Sequence, residues 1–515
     1  KPAPMTIDFD GLHERLKRLT VANAVETELV WAPDSKRLAF VADVKGQSGL
    51  YAVSFPAPTT PSPIVTDVGT SPRWLSEGNQ IVWLSQGVPA SISITSGKQT
   101  SFRFSARQTV DLGARYRAAF EMCWRIMRDQ WYDDRLGNRN WDEVRRKYVD
   151  AAAASADDLA FSTIVNLMLG ELNGSHLGFT PASAAKADDA AGWPIVTAHL
   201  GVRFNPEHQG PGLKIRDVIA GGPADRQRSR LEAGEIILAV DGTAVDPGRD
   251  LTTVFNGAPG RELTLRVRAA GGKERDVVLH PTTYDALPKL LYEQWVRDNR
   301  RRVEQGSKGT LGYVHIAGMD EPSLLRFEEE LYSAASGKQG LVVDVRENGG
   351  GFTTDHLLTM LTQPVHAITV PRGGKPGYPQ DRKIYATWNK PIVVLCNQNS
   401  FSNAEIFSHA VKSLGRGKLV GTPTAGGVVS TGAATIMDVG TMRLPTRGWF
   451  VPSTGEDMEL NGAVPDVVVW PQPGEMPRGK DVQLEKAVEV LLADARAWQT
   501  RPQPKLRKAT ERPKK

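Results

Sequence analysis

The 515-residue sequence predicts a multidomain α+β protein whose largest part is an α/β domain built on a mostly parallel sheet. Three observations carry this. The length exceeds what one hydrophobic core serves and divides into roughly three or four domains. Segment types follow one another in blocks: strand-like repeats, helical periodicity from Asp111 to Leu172, a strand-rich stretch to Thr283, then strand–helix–strand order after Gly309. Finally, Ile392-Val-Val-Leu-Cys396 is a short apolar run without alternation, which suits a strand covered on both faces, and Leu341-Val-Val-Asp-Val345 is a second strand of the strand–helix–strand order.

In chain order, residues 1–110 contain two related segments, Trp31-Ala-Pro-Asp-Ser-Lys-Arg-Leu-Ala-Phe-Val41 and Trp74-Leu-Ser-Glu-Gly-Asn-Gln-Ile-Val-Trp-Leu84. Each reads as a hairpin, and their spacing falls in the ~40–45-residue range of a β-propeller blade. A closed propeller takes at least about four blades, so these are expected to be a partial propeller, the remnant of a longer protein. Residues 111–192 read as a small helical cap, with apolar residues at three and four along 116–127, 141–152 and 159–172. Asn173-Gly174 is expected to close the last helix, with Ser175-His176 in the loop beyond.

Residues 193–284 form a compact β unit marked by Leu200-Gly-Val-Arg-Phe204, Gly221-Gly-Pro-Ala-Asp225 and a hairpin at Asp241-Gly242. It resembles a PDZ domain. That resemblance implies that a peptide could add as a strand beside Gly201, Val202 and Phe204, its carboxylate held by backbone N–H groups; a purely structural spacer is the other reading. Residues 285–475 make the α/β domain, entered through a basic helix near 284–305 that reads as a solvated strut. Residues 476–515 give a final helix and a Pro- and Lys-rich tail expected to be disordered.

The balance of 63 basic against 58 acidic residues is too even for this length to argue for nucleic acid. No run reaches the roughly eighteen apolar residues of a membrane span. Cys123 and Cys396 sit in apolar contexts and read as buried thiols. No Cys, His and carboxylate cluster has metal-ligand spacing, so neither metal nor other cofactor is expected.

Chemistry concentrates after Ile392–Cys396. A polar turn over 397–400 ends the strand, and from Ala404 the apolar residues Ile406, Phe407, Ala410, Val411 and Leu414 share one helical face, with Gly415 placed for a C-terminal cap. Ser402 therefore falls at a strand-to-helix turn, where a hydroxyl meets the positive end of the helix dipole beside unpaired backbone N–H groups. It is a good place for a nucleophile. Ser402-Asn-Ala-Glu405 also matches a capping box, in which Ser and Glu satisfy each other's backbone donors. A glycine loop, Arg346-Glu-Asn-Gly-Gly-Gly351, leaves the preceding strand; its backbone can approach a ligand closely, and no Lys-Ser/Thr pair follows as a phosphate loop would need.

Four motifs in this order, Asn173-Gly-Ser-His-Leu-Gly178, Asp344-Val-Arg-Glu-Asn-Gly-Gly-Gly351, Asn399-Ser-Phe-Ser-Asn-Ala-Glu405 and Glu459-Leu-Asn-Gly-Ala-Val-Pro-Asp466, resemble the tricorn proteases and, more broadly, the C-terminal processing serine peptidases. The resemblance runs from the partial propeller to about Pro471. It implies Ser402 as nucleophile, His176 as general base, Ser175 and Glu459 as the residues that orient the base, and backbone N–H groups of Asn403 and Gly350 as oxyanion donors. Glu405 is then a cap. His409, seven residues past Ser402 on one helix, lies roughly 10 Å along the axis and cannot serve; His315 sits in a strand, and His356 is the reserve base.

Many C-terminal processing peptidases use a lysine base at the end of Gly-x-Pro-Thr-x-Gly-Lys; here Gly421-Thr-Pro-Thr-Ala-Gly-Gly427 ends in Gly427, which points to the histidine branch. The resemblance further implies a peptide or unfolded-polypeptide substrate, an acid such as Asp381 selecting basic side chains, and a large homo-oligomer. It also implies a cytoplasmic location, or a periplasmic or secreted one if an export signal has been removed. The expected function is a serine peptidase working through an acyl-enzyme. A silent PDZ and propeller scaffold that binds peptides is the alternative, and a small-ester hydrolase is a third, although Gly-x-Ser-x-Gly is absent around Ser402.

Overall fold

The computed structural model describes residues 6–12, 24–56, 60–183, 196–257, 261–374, 376–377 and 386–511, and Asp381 lies outside them. The chain divides into two compact units, Lys1–Val110 and Asp111–Lys515.

The first unit holds two four-stranded antiparallel meanders: Thr27–Trp31, Arg37–Val44, Gln47–Ser54 and Ser62–Val65, then Gly69–Trp74, Gln80–Ser85, Val88–Ser93 and Gln99–Ser101. Each repeat is thus a whole blade-like sheet rather than the hairpin expected. The outer strands Ser62–Val65 and Gln99–Ser101 carry little sequence signal because both are short, the first holds a Pro and has no buried position, and the second is three polar residues. Ala39 and Leu50 of one sheet pack against Ile81, Trp83, Ala90 and Ile92 of the other. Trp74 Nε1 donates to Val30 O at 3.0 Å, and the Arg37 guanidinium lies 4.9 Å from the Trp74 ring centroid, so the repeated tryptophan joins the two sheets.

In the second unit, five parallel strands lie side by side in chain order: Leu311–His315, Gly340–Asp344, Ile392–Cys396, Lys418–Gly421 and Val467–Val468. Three of them are buried at every position, as unalternating apolar runs require. Helices Glu321–Tyr332, Thr354–Leu361 and Asn403–Ser413 cover one face through Phe327, Leu331, Leu357, Phe407 and Val411. The other face is covered by Leu287–Gly306 and Val482–Thr500, through Val296, Val303, Leu484 and Leu491. The expected solvated strut is therefore a packing helix. Its charged residues hid an apolar stripe that the sheet buries.

Helices Leu112–Gln130, Trp141–Ala153 and Asp158–Gly170 make the cap. Its core of Phe120, Met127, Phe161 and Met168 continues into Ile436, Val439, Met442 and Leu444 of the hairpin Ser430–Ile436/Gly440–Arg447. Strand Phe179–Pro181, just after His176, pairs with Gly440–Arg447 in that sheet. The loop between cap and strand is thereby fixed at both ends. Of the pair Asn173-Gly174 expected to close the last helix, Asn173 is the left-handed residue (φ 49°). Gly174 is small for another reason: a Cβ there would lie 2.4 Å from Trp131 Cη2.

The β unit has strand order Val202–Phe204, Leu213–Val218, Ile236–Val240, Leu263–Arg268 and Glu274–Leu279, which leaves Val202–Phe204 at an edge. Leu213, Ile215, Ile237, Val240, Leu265 and Val267 form its core.

Candidate active site

Strand Ile392–Cys396 ends in a turn tied to its neighbour, where Ser400 Oγ donates to Val345 O at 2.8 Å. Helix Asn403–Ser413 starts three residues later. The joint is tight, and Ser402 takes φ 56°, ψ −118°, a conformation costly for any residue with a Cβ. Such a turn presents its side chain clear of the backbone, as a nucleophile elbow does, though no Gly-x-Ser-x-Gly announces it.

Both sequence readings of Ser402 hold in part. Glu405 Oε1 accepts from Ser402 N–H at 2.9 Å, the carboxylate half of a capping box. Ser402 Oγ also lies 3.0 Å from His176 Nε2. His176 Nδ1 is 2.7 Å from Ser175 Oγ, and Ser175 Oγ donates to Glu459 Oε2 at 3.0 Å. Glu459 is buried and accepts also from the N–H groups of Ser175 at 2.5 Å, Val428 at 2.9 Å and Val429 at 3.2 Å. The structure thus brings Ser402, His176, Ser175 and Glu459 into one hydrogen-bonded chain. His356 is exposed on its helix, His409 bonds Ser413 Oγ at 2.9 Å, and His315 is buried between Tyr292 OH and Arg346 O.

The direction of the relay follows from its end. An ionised carboxylate only accepts, so the Ser175 O–H points to Glu459 and its lone pair faces His176 Nδ1. Nδ1 then carries the proton, and Nε2 offers a lone pair to the Ser402 hydroxyl. Burial lowers the His176 pKa below 6.5; Arg443 adds to the lowering and Glu459 opposes it. The base is therefore neutral at neutral pH.

Around Ser402, the Asn403 N–H opens the helix and has no acceptor among the described residues. Gly350 lies against the turn: a Cβ on it would meet Ser402 Cβ at 2.7 Å and Asn403 N at 3.0 Å. Its own N–H, however, donates to Asn348 Oδ1 at 2.9 Å, whereas those of Gly349 and Gly351 have no acceptor among the described residues. Asn348 is buried and also donates to Ile316 O at 2.8 Å, and its carbonyl accepts from Phe401 N–H at 2.9 Å. Sequence reading passed over Asn348, whose only signal was its place before three glycines. It passed over Asp457 as well, which accepts from Glu459 N–H at 3.0 Å and from Tyr132 OH of the cap at 2.8 Å.

At the β unit's edge, Val202 is buried and Phe204 half-buried, and Gly201 N–H already donates to His199 Nδ1 at 2.9 Å. That amide is not open to a peptide carboxylate while the His199 bond holds.

Comparison with known proteins agrees with this layout. Residues 310–469 match Peptidase family S41, residues 113–170 the Tricorn protease C1 domain, and residues 198–279 a PDZ domain. Tricorn protease homolog 1 of Streptomyces coelicolor is 33% identical over 406 residues, covering 75% of this chain and 36% of the relative. Tricorn protease of Thermoplasma acidophilum is 28% identical over 388 residues, covering 74% of this chain and 35% of the relative. The chain spans about a third of the length of these relatives. The crystal structure of the tricorn protease superposes with a TM-score of 0.72 at 22% identity, covering 92% of this chain and 46% of that one, a likeness of fold. On these domain matches and relatives, the chain belongs to the tricorn protease family, with a serine peptidase S41 domain as its α/β part.

Proposed function

We propose that the chain hydrolyses peptide bonds through a Ser402 acyl-enzyme, with His176 as general base and Ser175 and Glu459 as its orienting relay. The observation that carries this is the unbroken series Ser402 Oγ–His176 Nε2–Ser175 Oγ–Glu459 Oε2, with spacings of 3.0, 2.7 and 3.0 Å. In the reaction, Ser402 Oγ attacks the peptide carbonyl carbon as Nε2 takes its proton, and negative charge develops on the carbonyl oxygen. The Asn403 N–H and a glycine amide of the 349–351 run receive that oxyanion; if the glycine is Gly350, its N–H must leave or share Asn348 Oδ1. Collapse returns the proton from Nε2 to the departing amine. A water molecule, deprotonated by the same nitrogen, then releases the acid and restores Ser402.

The substrate class proposed is a peptide or an unfolded polypeptide, and family membership supports a homo-oligomeric assembly, which sedimentation of the purified chain would test. The activity test is cleavage of quenched-fluorescent peptides by the native chain and by Ser402→Ala. Cleavage by the first and not the second is expected. A folded native chain that cleaves no peptide would favour a peptide-binding scaffold, and one that turns over esters alone would favour a small-ester hydrolase.

A further inference from the structure

Phe401, the residue before Ser402, stacks its ring on the His176 imidazole, with centroids 4.8 Å and planes 23° apart. The imidazole's two hydrogen bonds, at Nδ1 and Nε2, leave from opposite sides of the ring. They fix where the nitrogens point, yet leave the ring free to turn about the line joining its partners. A flat neighbour against one face removes that freedom. Phe401 is itself anchored, its N–H donating to Asn348 O at 2.9 Å and its carbonyl accepting from Ala404 N–H at 3.1 Å. The ring that holds the base and the hydroxyl that the base serves therefore come from adjacent residues of one turn.

The same ring limits a second position. A Cβ on Gly427 would lie 2.2 Å from Phe401 Cε2, 2.9 Å from Cζ and 3.1 Å from Cδ2, against an optimal carbon–carbon contact of about 3.5–4.0 Å. Gly427 has no left-handed φ, so space rather than backbone conformation demands glycine there. Its backbone has no room to retreat: Gly427 N–H donates to Glu405 Oε1 at 2.8 Å and Gly426 N–H to Oε2 at 2.5 Å, and Glu405 is fully buried. Gly427 and Phe401 are thus locked together across the site.

We infer that Phe401 is a positioning residue for the base, holding the plane of His176 so that Nε2 meets Ser402 Oγ, and that Gly427 is glycine because this ring fills its side-chain space. The inference rests on the peptidase reading above. It makes residues 401 and 427 one device: a side chain at either position acts through the same ring.

The test compares the native chain, Phe401→Leu, Gly427→Ala and the double variant, measuring kcat and KM for a cleaved peptide, the rate of phosphonylation by a fluorophosphonate, and the thermal midpoint. Leucine keeps bulk but has no flat face. We expect Phe401→Leu to lose about 10- to 100-fold in kcat, the scale of a misplacement of the order of 1 Å, with KM within about threefold. Gly427→Ala should show a similar loss, and the double variant should be little worse than the worse single, since both act through one ring. The charged groups that bear on the imidazole, Arg443 and Glu459, are unchanged in all variants. Wetting of the ring in Phe401→Leu should therefore move the acid limb of kcat/KM to higher pH. If Gly427→Ala does not fold, Phe401→Leu alone decides, by its kcat loss at unchanged KM and thermal midpoint. A Phe401→Leu protein with native kcat and acid limb, or losses that simply multiply in the double variant, would overturn the inference. A folded native chain inert to both peptide and fluorophosphonate is a different result; it removes the peptidase reading, and the positioning role with it.

Discussion

Replacing Glu459 by Gln tests the relay where its direction is set. The carboxylate faces four donors: Ser175 N–H on Oε1, and Ser175 Oγ–H, Val428 N–H and Val429 N–H on Oε2. Glutamine keeps the shape but turns one of those oxygens into an NH₂ group. If the amide oxygen takes the three-donor side, the NH₂ meets Ser175 N–H, donor against donor. If it takes the other, the NH₂ donates to Ser175 Oγ, whose hydroxyl then points to His176 Nδ1 and leaves the proton on Nε2, where the lone pair is needed. Hydrogen bonds to a charged acceptor are worth about 1.5–3 kcal/mol, and an unsatisfied buried donor costs a similar amount. The change should therefore cost about 2–4 kcal/mol at the transition state, or roughly 30- to 1,000-fold in kcat at about 1.36 kcal/mol per decade. The assay is steady-state peptide cleavage with KM measured alongside. A folded Glu459→Gln protein within about threefold of native kcat would refute the reasoning, because the relay would then not be set by the carboxylate.

Other consequences are independent of that one. The His176 pKa is lowered by burial and by Arg443, so the neutral base persists below pH 6.5, and the acid limb of kcat/KM should fall below that value; a midpoint above 6.5 contradicts this. The sign for stability agrees: the unfolded chain binds the proton first, so this histidine's contribution, present at neutral pH, is lost as pH drops below about 6.5. Because Ser402 holds φ 56°, Ser402→Gly should be more stable than Ser402→Ala by about 1 kcal/mol, the reverse of the usual order in ordinary backbone, as read by urea unfolding. Arg346 is buried and pairs with Asp344 at 2.7 Å and Asp481 at 3.0 Å; Arg346→Met strands both carboxylates and should cost about 3–5 kcal/mol of stability, seen as a lower urea midpoint.

Ser402, His176, Ser175 and Glu459 could be named from sequence because each sits in a short motif, even though 284 residues separate Ser175 from Glu459. The parallel sheet was legible from the strand–helix–strand order after Gly309 and from Ile392 to Cys396, an apolar run without polar alternation that is buried at every position. What stayed hidden depends on contacts distant in sequence. Helix Leu287–Gly306 looked solvated since only a stripe of Val296 and Val303 meets the sheet amid charged neighbours. The commitment of Gly350 N–H to Asn348 depends on a side-chain rotamer that no motif encodes. Gly427 was noticed as a departure from a lysine pattern, but the reason for glycine, the Phe401 ring, exists only once the turn and the loop meet. The strain at Ser402 is likewise a product of fitting a strand end to a helix start within a few residues.

The central claim is an activated hydroxyl at Ser402 that depends on His176. Intact-protein mass after fluorophosphonate treatment measures it directly, on the native chain, Ser402→Ala and His176→Ala. A single adduct on the native chain, localised to Ser402 and lost in both variants, is the predicted result. A folded native chain that remains unlabelled, or labelling that survives Ser402→Ala, would contradict it and leave Ser402 as the cap of its helix.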